Sequence, residues 1–274
     1  MHGVPRGPVT ALATIAPDVP RSPRPGRALP APQLFARVLA AAMLGALAWV
    51  GVGAARAAGP GTAVIAMSNE STITYWANPL TNGPIHASPS RSAPVLARLH
   101  PFTEDGFPEV YIILARETTP NGVTWAHVAF PGRPNGRTGW VAMSDLEVPQ
   151  LNTEHFVIDL GARRVTLYRS GREIFTAQAG VGSPTDPTPT GTYWVREKFA
   201  VADDAAYGPF AFGTSDYSDV ETDWPGGGVV GIHGTDEPQL IPGDPSHGCI
   251  RLRNSDITRL FGLMSVGTPI SIIN

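Results

Sequence analysis

Residues 245–252 of the chain read PSHGCIRL, and residues 231–235 read GIHGT. Cys249 is the single cysteine of the sequence, so it cannot form an internal disulfide. A thiol is a weak nucleophile until it loses its proton, and an imidazole within hydrogen-bond reach can take that proton. His233 follows an apolar stretch and precedes a glycine, so we expect its ring at a strand end over a cleft. The pattern predicts a cysteine nucleophile that is paired with His233 and substantially ionised near neutral pH; a buried Cys249 that only packs is the alternative.

Three neighbours of the cysteine extend this prediction. Gly248 has no Cβ, so the backbone N–H groups of Gly248 and Cys249 can turn toward an acyl oxygen and form an oxyanion hole. Arg251 lies on the same side of an extended strand as Cys249, where its guanidinium could hold a substrate carboxylate; an exposed strand charge is the alternative. His247, two positions before the thiol, could contribute as an assisting residue.

A zinc site is a rival interpretation of the same residues, because His233, His247 and Cys249 are all possible zinc ligands. Their spacing does not match a closed structural set, and the sequence nearby offers no evident fourth ligand. We therefore expect neither a metal nor another cofactor. Activity that survives EDTA but is lost on thiol alkylation would separate the cysteine nucleophile from the metal site.

The sequence around these motifs predicts short strands separated by turns. Two strand candidates, residues 156–160 and 164–169, are joined by a short turn and form an opening hairpin, and a third covers residues 173–181. The Pro- and Gly-rich stretch 182–191 predicts a loop, and residues 192–196 predict a further strand. Residues 255–261 predict a short helix capped by Asn254 or Ser255, and the last strand covers residues 269–273.

These features together resemble the L,D-transpeptidases of bacterial cell walls, whose catalytic domain is also called YkuD. The resemblance covers residues 154–274 and joins the HGT of residues 233–235 to the SHGCIR of residues 246–251. It extends to the opening hairpin, to the TPTG turn of residues 188–191 and to the strand after the short helix. The resemblance implies a mainly β protein with a β-sandwich catalytic domain.

The same resemblance implies roles for individual residues. Cys249 would be the nucleophile, His233 the general base, and the carbonyl of Gly234 would orient the His233 ring. Some members of the family have Asn where this chain, like another branch, has Arg251, so the resemblance does not fix the substrate contacts. Residues 207–212 lie where the family has a lid over the cleft. The residues expected to contact substrate are Arg251, Ser246, Thr235, Tyr207 and Phe210, and core packing is the alternative for the aromatic pair.

The implied reaction is acyl transfer in two steps on a peptidoglycan stem peptide. Cys249 would attack the carbonyl between the third, diamino-acid residue and the terminal D-alanine, which forms a thioester and releases D-alanine. An acceptor amine would then form a 3→3 cross-link, with consequences for cell-wall organisation and cell shape. Water in place of the amine would make the protein an L,D-carboxypeptidase, and a non-catalytic wall-binding protein is a third possibility. The resemblance also implies acylation of Cys249 by carbapenems.

The residues before the catalytic region predict a small β module. Residues 84–150 contain several strand-like runs separated by turns such as PNG at 120–122 and 134–136. The run that ends in GWV at residues 139–141 resembles bacterial SH3-like modules. We therefore expect a small SH3-like β-barrel at 84–150, a linker with one strand near residues 73–76 at 58–83, and the catalytic domain at 151–274.

The charge distribution predicts export. Residues 1–57 hold six Arg and one acid, and the 18 residues from 38 to 55 carry no charge before Ala-Arg-Ala. A positive flank, an apolar run and a small-x-small site are the parts of a secretory signal, although an uncleaved anchor has the same order. The chain as a whole has 20 basic and 23 acidic residues, which argues against a nucleic-acid partner. We expect an extracytoplasmic protein that meets the membrane only through this segment when it is not cleaved.

Overall fold

In the computed structural model, residues 63–202, 204–222 and 227–274 are described. The export segment predicted for residues 1–57 lies outside these residues. Within them the protein is mainly β, as predicted, and its strands form two sheets. No helix in these three ranges is both long and apolar enough to cross a membrane.

The first sheet is antiparallel and precedes the predicted catalytic domain. Along the described part of the chain its eight strands are β1 (Val64–Ala66), β2 (Thr74–Ala77), β3 (Pro84–His86), β4 (Val95–Arg98), β5 (Tyr111–Thr118), β6 (Thr124–Ala129), β7 (Thr138–Ala142) and β8 (Gln150–Asn152). Their order is β4-β3-β7-β6-β5-β2-β8, and β1 pairs with β5. A short 3₁₀ turn, Met143–Asp145, follows β7. The sheet begins inside residues 58–83, the range predicted as a linker. One strand was expected there, near residues 73–76, and the structure has two, β1 and β2. Its SH3-like identity stays a prediction.

The second sheet carries the two sequence motifs. Its ten strands in the described residues are β9 (Glu154–Asp159), β10 (Arg164–Arg169), β11 (Arg172–Gln178), β12 (Gly180–Gly182), β13 (Gly191–Ala200), β14 (Phe210–Tyr217), β15 (Val229–His233), β16 (Gly243–Ser246), β17 (Ile250–Arg251) and β18 (Pro269–Ile273). Their order is β11-β10-β9-β18-β13-β14-β15-β17-β12-β16. Two 3₁₀ turns, Ala205–Tyr207 and Pro238–Leu240, and one helix, α1 (Asn254–Phe261), complete this part.

The long strand β13 gives the second sheet its sandwich-like form. Its first residues pair with β18 and its later residues pair with β14, and the register shifts between Val195 and Glu197. Both halves of the sheet bury side chains in one core, because Phe156 of β9 and Ile232 of β15 belong to the same cluster as Leu260 of α1. The motif strands β15 and β17 therefore rest on a packed core, which holds their backbones in place.

A buried ion pair joins the two sheets. Arg196 of β13 is 4% exposed, and its Nε donates to Oε1 of Glu109, which precedes β5, at 2.8 Å. A second guanidinium nitrogen bonds the other Glu109 oxygen and also Oε2 of Glu104, at 2.9 Å for the latter. The indole Nε1 of Trp194 donates to the carbonyl of Val110 at 2.8 Å. The first sheet is thus attached directly to the strand at the centre of the catalytic sheet.

Candidate active site

His233 is the last residue of β15, and its ring is fixed by a backbone carbonyl. Ile232 points into the core, so the alternation of the strand directs His233 to the opposite face. The ring Nδ1 lies 2.7 Å from the carbonyl oxygen of Gly234. Because a carbonyl only accepts, Nδ1 carries the proton, and the Nε2 lone pair is left to take one. The hydrogen bond that the resemblance implied between Gly234 and the ring is present.

Cys249 faces the same space as His233. The strands β15 and β17 run parallel, with Ile232 beside Ile250 and His233 beside Arg251, so Gly231 lies level with Cys249. The N–H of Gly231 donates to Cys249 Sγ at 3.4 Å. A Cβ added at Gly231 would lie 3.8 Å from His233 Cδ2 and 3.9 Å from Cys249 Sγ. The imidazole and the sulfur therefore flank one open space, and a glycine leaves that space open.

Both groups are neutral at rest, which corrects the expectation of an ionised thiol. Burial, together with the charge of Arg251, lowers the pKa of His233 to about 4, against the opposing effect of the Gly234 carbonyl. Burial also raises the pKa of the Cys249 thiol, against the opposing effects of the Gly231 N–H and the Arg251 charge. A low-dielectric site disfavours an imidazolium–thiolate pair. The arrangement suits a general base that takes the thiol proton during attack rather than a preformed ion pair.

Ser246 holds the turn that presents the cysteine. Its hydroxyl donates to the carbonyl of Cys249 at 2.6 Å and accepts the N–H of Gly248 at 3.2 Å. Ser246 is 2% exposed, so it shapes the turn instead of offering its hydroxyl to substrate as predicted. The Gly248 N–H is occupied by this bond, which corrects its predicted part in the oxyanion hole. Of the two predicted donors, the Cys249 N–H is the candidate.

Gly248 is needed for a different reason from the one predicted. Its φ of +115° lies in a region that L side chains rarely adopt, whereas a Cβ there would meet its nearest neighbour only at 3.7 Å. Its carbonyl accepts a hydrogen bond from Thr188 Oγ1 at 2.8 Å, and Thr188 Oγ1 in turn accepts the N–H of Gly182 at 2.9 Å. The TPTG turn thus fixes the backbone immediately before the nucleophile.

Asn254 organises the other motif. Its Oδ1 accepts the N–H of Thr235 at 2.9 Å, and no side chain caps α1, so the predicted capping role is wrong for this residue. Thr235 is 1% exposed and its hydroxyl accepts the N–H of Glu237 at 3.0 Å, which makes it a turn residue rather than a substrate contact. A Cβ on Gly234 would approach Asn254 Oδ1 to 2.4 Å, so close packing requires a glycine in the HGT motif.

The two aromatic residues predicted over the cleft lie on different faces. The Tyr207 ring lies 4.6 Å from the His233 ring at an angle of 44°, so it contacts the base. Phe210 stacks on Phe261 of α1 at 4.2 Å and packs against the core. Ala211 is the β14 residue that pairs with His233, and alternation places Phe210 on the opposite face. Phe210 therefore packs against the core, which is the alternative given for it in the sequence analysis.

Arg251 and His247 of the second motif differ in exposure. Arg251 has a side chain that is 22% exposed, and its Nη1 lies 3.3 Å from Glu237 Oε2. Its Nε is buried and has no hydrogen-bond partner in the described residues. His247 is exposed on the turn before the nucleophile. Between residues 63 and 274, leaving out residues 203 and 223–226, no group of three or more His, Cys, Asp or Glu side chains is placed to hold a metal ion.

Several site residues were missed because a motif does not show what its backbone packs against. Gly231 acts through its missing Cβ. Thr188 donates to a carbonyl that is distant in sequence, and Asn254 accepts an N–H that is distant in sequence. Gly208 belongs with them: its φ is +64°, and a Cβ there would lie 2.7 Å from Gly234 Cα. The sequence signal that could have identified these residues is that they lie inside or beside the quoted motifs.

Comparison with known proteins identifies the domain that contains these residues. Residues 153–272 match the model of the YkuD family, the L,D-transpeptidase catalytic domain, which confirms the resemblance for this part of the chain. The chain is 28% identical to the YkuD protein of Bacillus subtilis over 144 residues, which cover 51% of this chain and 80% of the relative.

The chain is also similar to two solved structures from Enterococcus faecium. A crystal structure of an L,D-transpeptidase mutant is 27% identical, with a TM-score of 0.35, and the match covers 43% of this chain and 49% of that one. An NMR structure of the catalytic domain acylated by ertapenem is 26% identical, with a TM-score of 0.35, and the match covers 45% and 99% of the two chains. This chain therefore spans about half the length of the crystallised relative.

Proposed function

We propose that this protein is a peptidoglycan L,D-transpeptidase that forms 3→3 cross-links by acyl transfer through Cys249. The observation that supports this most is the shared space over Gly231, which the thiol and the His233 ring both flank. The family match of residues 153–272 supports the class of reaction. The substrate class, a stem peptide ending in D-alanine, comes from the family resemblance.

In the first step the thiol attacks the carbonyl that precedes the terminal D-alanine. His233 Nε2 takes the thiol proton as the C–S bond forms, and the Gly234 carbonyl stabilises the resulting imidazolium through Nδ1–H. The Cys249 N–H faces the developing oxyanion. The C–N bond then breaks, His233 returns the proton to the leaving amine, and a thioester remains on Cys249.

In the second step an acceptor amine attacks the thioester carbonyl. The nitrogen loses a proton to His233, the C–S bond breaks, and the imidazolium returns the proton to sulfur. Water in place of the amine gives a tripeptide, the product of an L,D-carboxypeptidase. The proportion of amine and water products therefore depends on what the groove binds beside the thioester.

Incubation of the full chain with a defined tetrapeptide stem, followed by mass analysis, tests this proposal. We expect loss of D-alanine and a cross-linked dimer, with no product from Cys249→Ala. Tripeptide alone would identify a carboxypeptidase. No product from the parent protein, or a dimer formed by Cys249→Ala, would contradict the assignment.

Two further properties belong to the proposal. The NMR relative described above is acylated by ertapenem, so we propose that carbapenems acylate Cys249, which would appear as an added mass on the intact protein. The sequence of residues 1–57 supports an extracytoplasmic location in the cell wall. N-terminal sequencing of the mature protein would show a start near Ala58 if the segment is a signal that is cleaved.

A further inference from the structure

A row of four residues crosses the second sheet from strand to strand. Glu197 of β13 pairs with Gly213 of β14, and Gly213 pairs with Gly231 of β15. Gly231 in turn lies level with Cys249. Paired residues in neighbouring strands point to the same face of a sheet, so Glu197 and Cys249 stand at the two ends of a row whose middle members have no side chain.

The carboxyl group of Glu197 leans along this row toward the nucleophile. A Cβ added at Gly213 would lie 2.4 Å from Glu197 Oε1 and 2.9 Å from its Cδ, so the carboxyl group occupies the space above Gly213. Neighbouring strands are about 4.8 Å apart. The carboxyl is therefore about one strand from Gly231, on whose open side the sulfur and the imidazole lie.

The first sheet supplies the wall behind Glu197. Thr103, in the segment between β4 and β5, donates its hydroxyl to Glu197 Oε2 at 2.6 Å. Phe107 of the same segment stacks on Phe199 of β13 at 5.5 Å. The exposed Asp105 faces Glu197, and burial together with the Asp105 charge raises the pKa of Glu197 to about 7. The carboxyl is thus held by a neutral hydroxyl and connected to solvent through a second acid.

Glu197 lacks a bonded cation of its own within the described residues. Arg196 is its neighbour in sequence, but the guanidinium bonds Glu109 and Glu104. At the other end of the row, Arg251 Nε is a buried donor without a partner in the described residues, although its Nη1 lies 3.3 Å from Glu237 Oε2. The row therefore has a positive group beside Cys249 and a carboxyl group above Gly213, about two strands away.

We propose that Glu197 binds the ammonium group of the acyl acceptor and takes its first proton, which makes Glu197 the residue that favours transfer to an amine over hydrolysis. This inference rests on the proposed function. An ammonium ion cannot attack a thioester until a proton leaves its nitrogen. The proton passes to the Glu197 carboxylate and from there to solvent by way of Asp105. The free amine then forms the C–N bond, and His233 carries the second proton from nitrogen to the departing sulfur.

The partition between two products measures this role. The full chain and its Glu197→Gln variant are given a tetrapeptide with a free side-chain amine, and dimer and tripeptide are quantified by mass. We expect dimer formation to fall by about a hundredfold, the scale of a lost general base, while the rate of thioester formation changes much less. The tripeptide should replace the dimer. The same tetrapeptide with its side-chain amine acetylated should give tripeptide with both proteins.

Two further variants separate this role from a structural one. Thr103→Val removes the hydrogen bond from the hydroxyl group to Glu197 but keeps the carboxylate, so dimer should remain the main product. Glu173→Gln, a matched change on the exposed part of β11, should behave as the parent. An unchanged ratio of dimer to tripeptide in Glu197→Gln would overturn the role of Glu197 and leave the proposed function intact. No thioester in the parent protein would overturn both.

Discussion

At the scale of single residues, the notable feature of the groove is that its acid and base are both uncharged before substrate binds. His233 is buried and Cys249 is partly buried, so desolvation opposes charge on each. Proton transfer then has to accompany attack on the substrate. The Nδ1–H bond to Gly234 prepares His233 for this, because it leaves Nε2 as the accepting nitrogen.

The neutral pair predicts how the thiol reacts with a small alkylating agent. Because burial raises the pKa of Cys249, the rate should be low at pH 7 and should keep rising through the alkaline range above the ordinary thiol pKa. Iodoacetamide alkylation followed by intact mass between pH 5 and 10 measures this profile. A rate that is already constant between pH 5 and 8 would indicate a preformed ion pair instead.

Asp216 predicts a pH dependence of stability. Burial raises the pKa of this fully buried carboxyl to about 8, and its Oδ2 has no hydrogen-bond partner in the described residues. The unfolded chain releases this proton near pH 4, but the folded protein keeps it, so the free energy of unfolding should fall between about pH 4 and pH 8. In Asp216→Asn that dependence should flatten by a few kcal/mol.

Urea unfolding of the parent and of Asp216→Asn at pH 5 and pH 8 checks this difference. Asp236→Asn, a change of the same chemistry at an exposed position, is the control and should leave the dependence as it is. An equal change in the free energy of unfolding between pH 5 and pH 8 in all three proteins would show that Asp216 is ionised in the folded state.

At the scale of elements, the parallel pairing of β15 with β17 brings together two motifs that are distant in sequence. The residue types and the expectation of a strand before His233 predicted a shared site for His233 and Cys249, but not the parallel strand pairing that forms it. The sequence could not predict that the Ser246 hydroxyl holds the turn and accepts the Gly248 N–H. This arrangement depends on which N–H the Ser246 hydroxyl reaches once the turn has closed.

Gly231 offers a direct test of the shared space. It needs no positive φ, and an added Cβ would make only ordinary contacts, so Gly231→Ala should fold with nearly unchanged stability. The methyl group would nevertheless contact both the imidazole and the sulfur, and acylation should slow by about tenfold or more because misplaced groups lose their alignment. Gly262→Ala, after α1, is the control. Acylation at the parent rate in Gly231→Ala would show that the two groups do not act across this space.

At the scale of the whole molecule, the two sheets are joined around charged residues that sequence patterns do not connect. Turn signals predicted strands before residue 150, but Arg196 and Glu109 are separated by 87 positions. The early start of the first sheet was also missed, because β1 lies in a Gly- and Ser-rich stretch with little periodicity, where only a strand near β2 was expected. Long-range pairing decided both features, and a local pattern contains no information about it.

The junction predicts unequal effects of two neighbouring acids. Glu109 is 2% exposed, so Glu109→Ala would leave Arg196 buried with an incompletely paired charge and should cost about 3–5 kcal/mol of unfolding free energy. The Glu104 side chain is 42% exposed, and Glu104→Ala should cost about 1 kcal/mol or less. Urea denaturation measures both values. Equal losses would contradict a buried pair centred on Glu109.

The central claim is that Cys249 accepts an acyl group with His233 as its base. Intact-protein mass spectrometry of the full chain mixed with a tetrapeptide stem tests it most directly. We expect an adduct of tripeptide mass that peptide mapping assigns to Cys249, that is absent from Cys249→Ala and that forms at least about a hundredfold more slowly in His233→Ala. An adduct on another residue, or an unchanged rate in His233→Ala, would contradict the account.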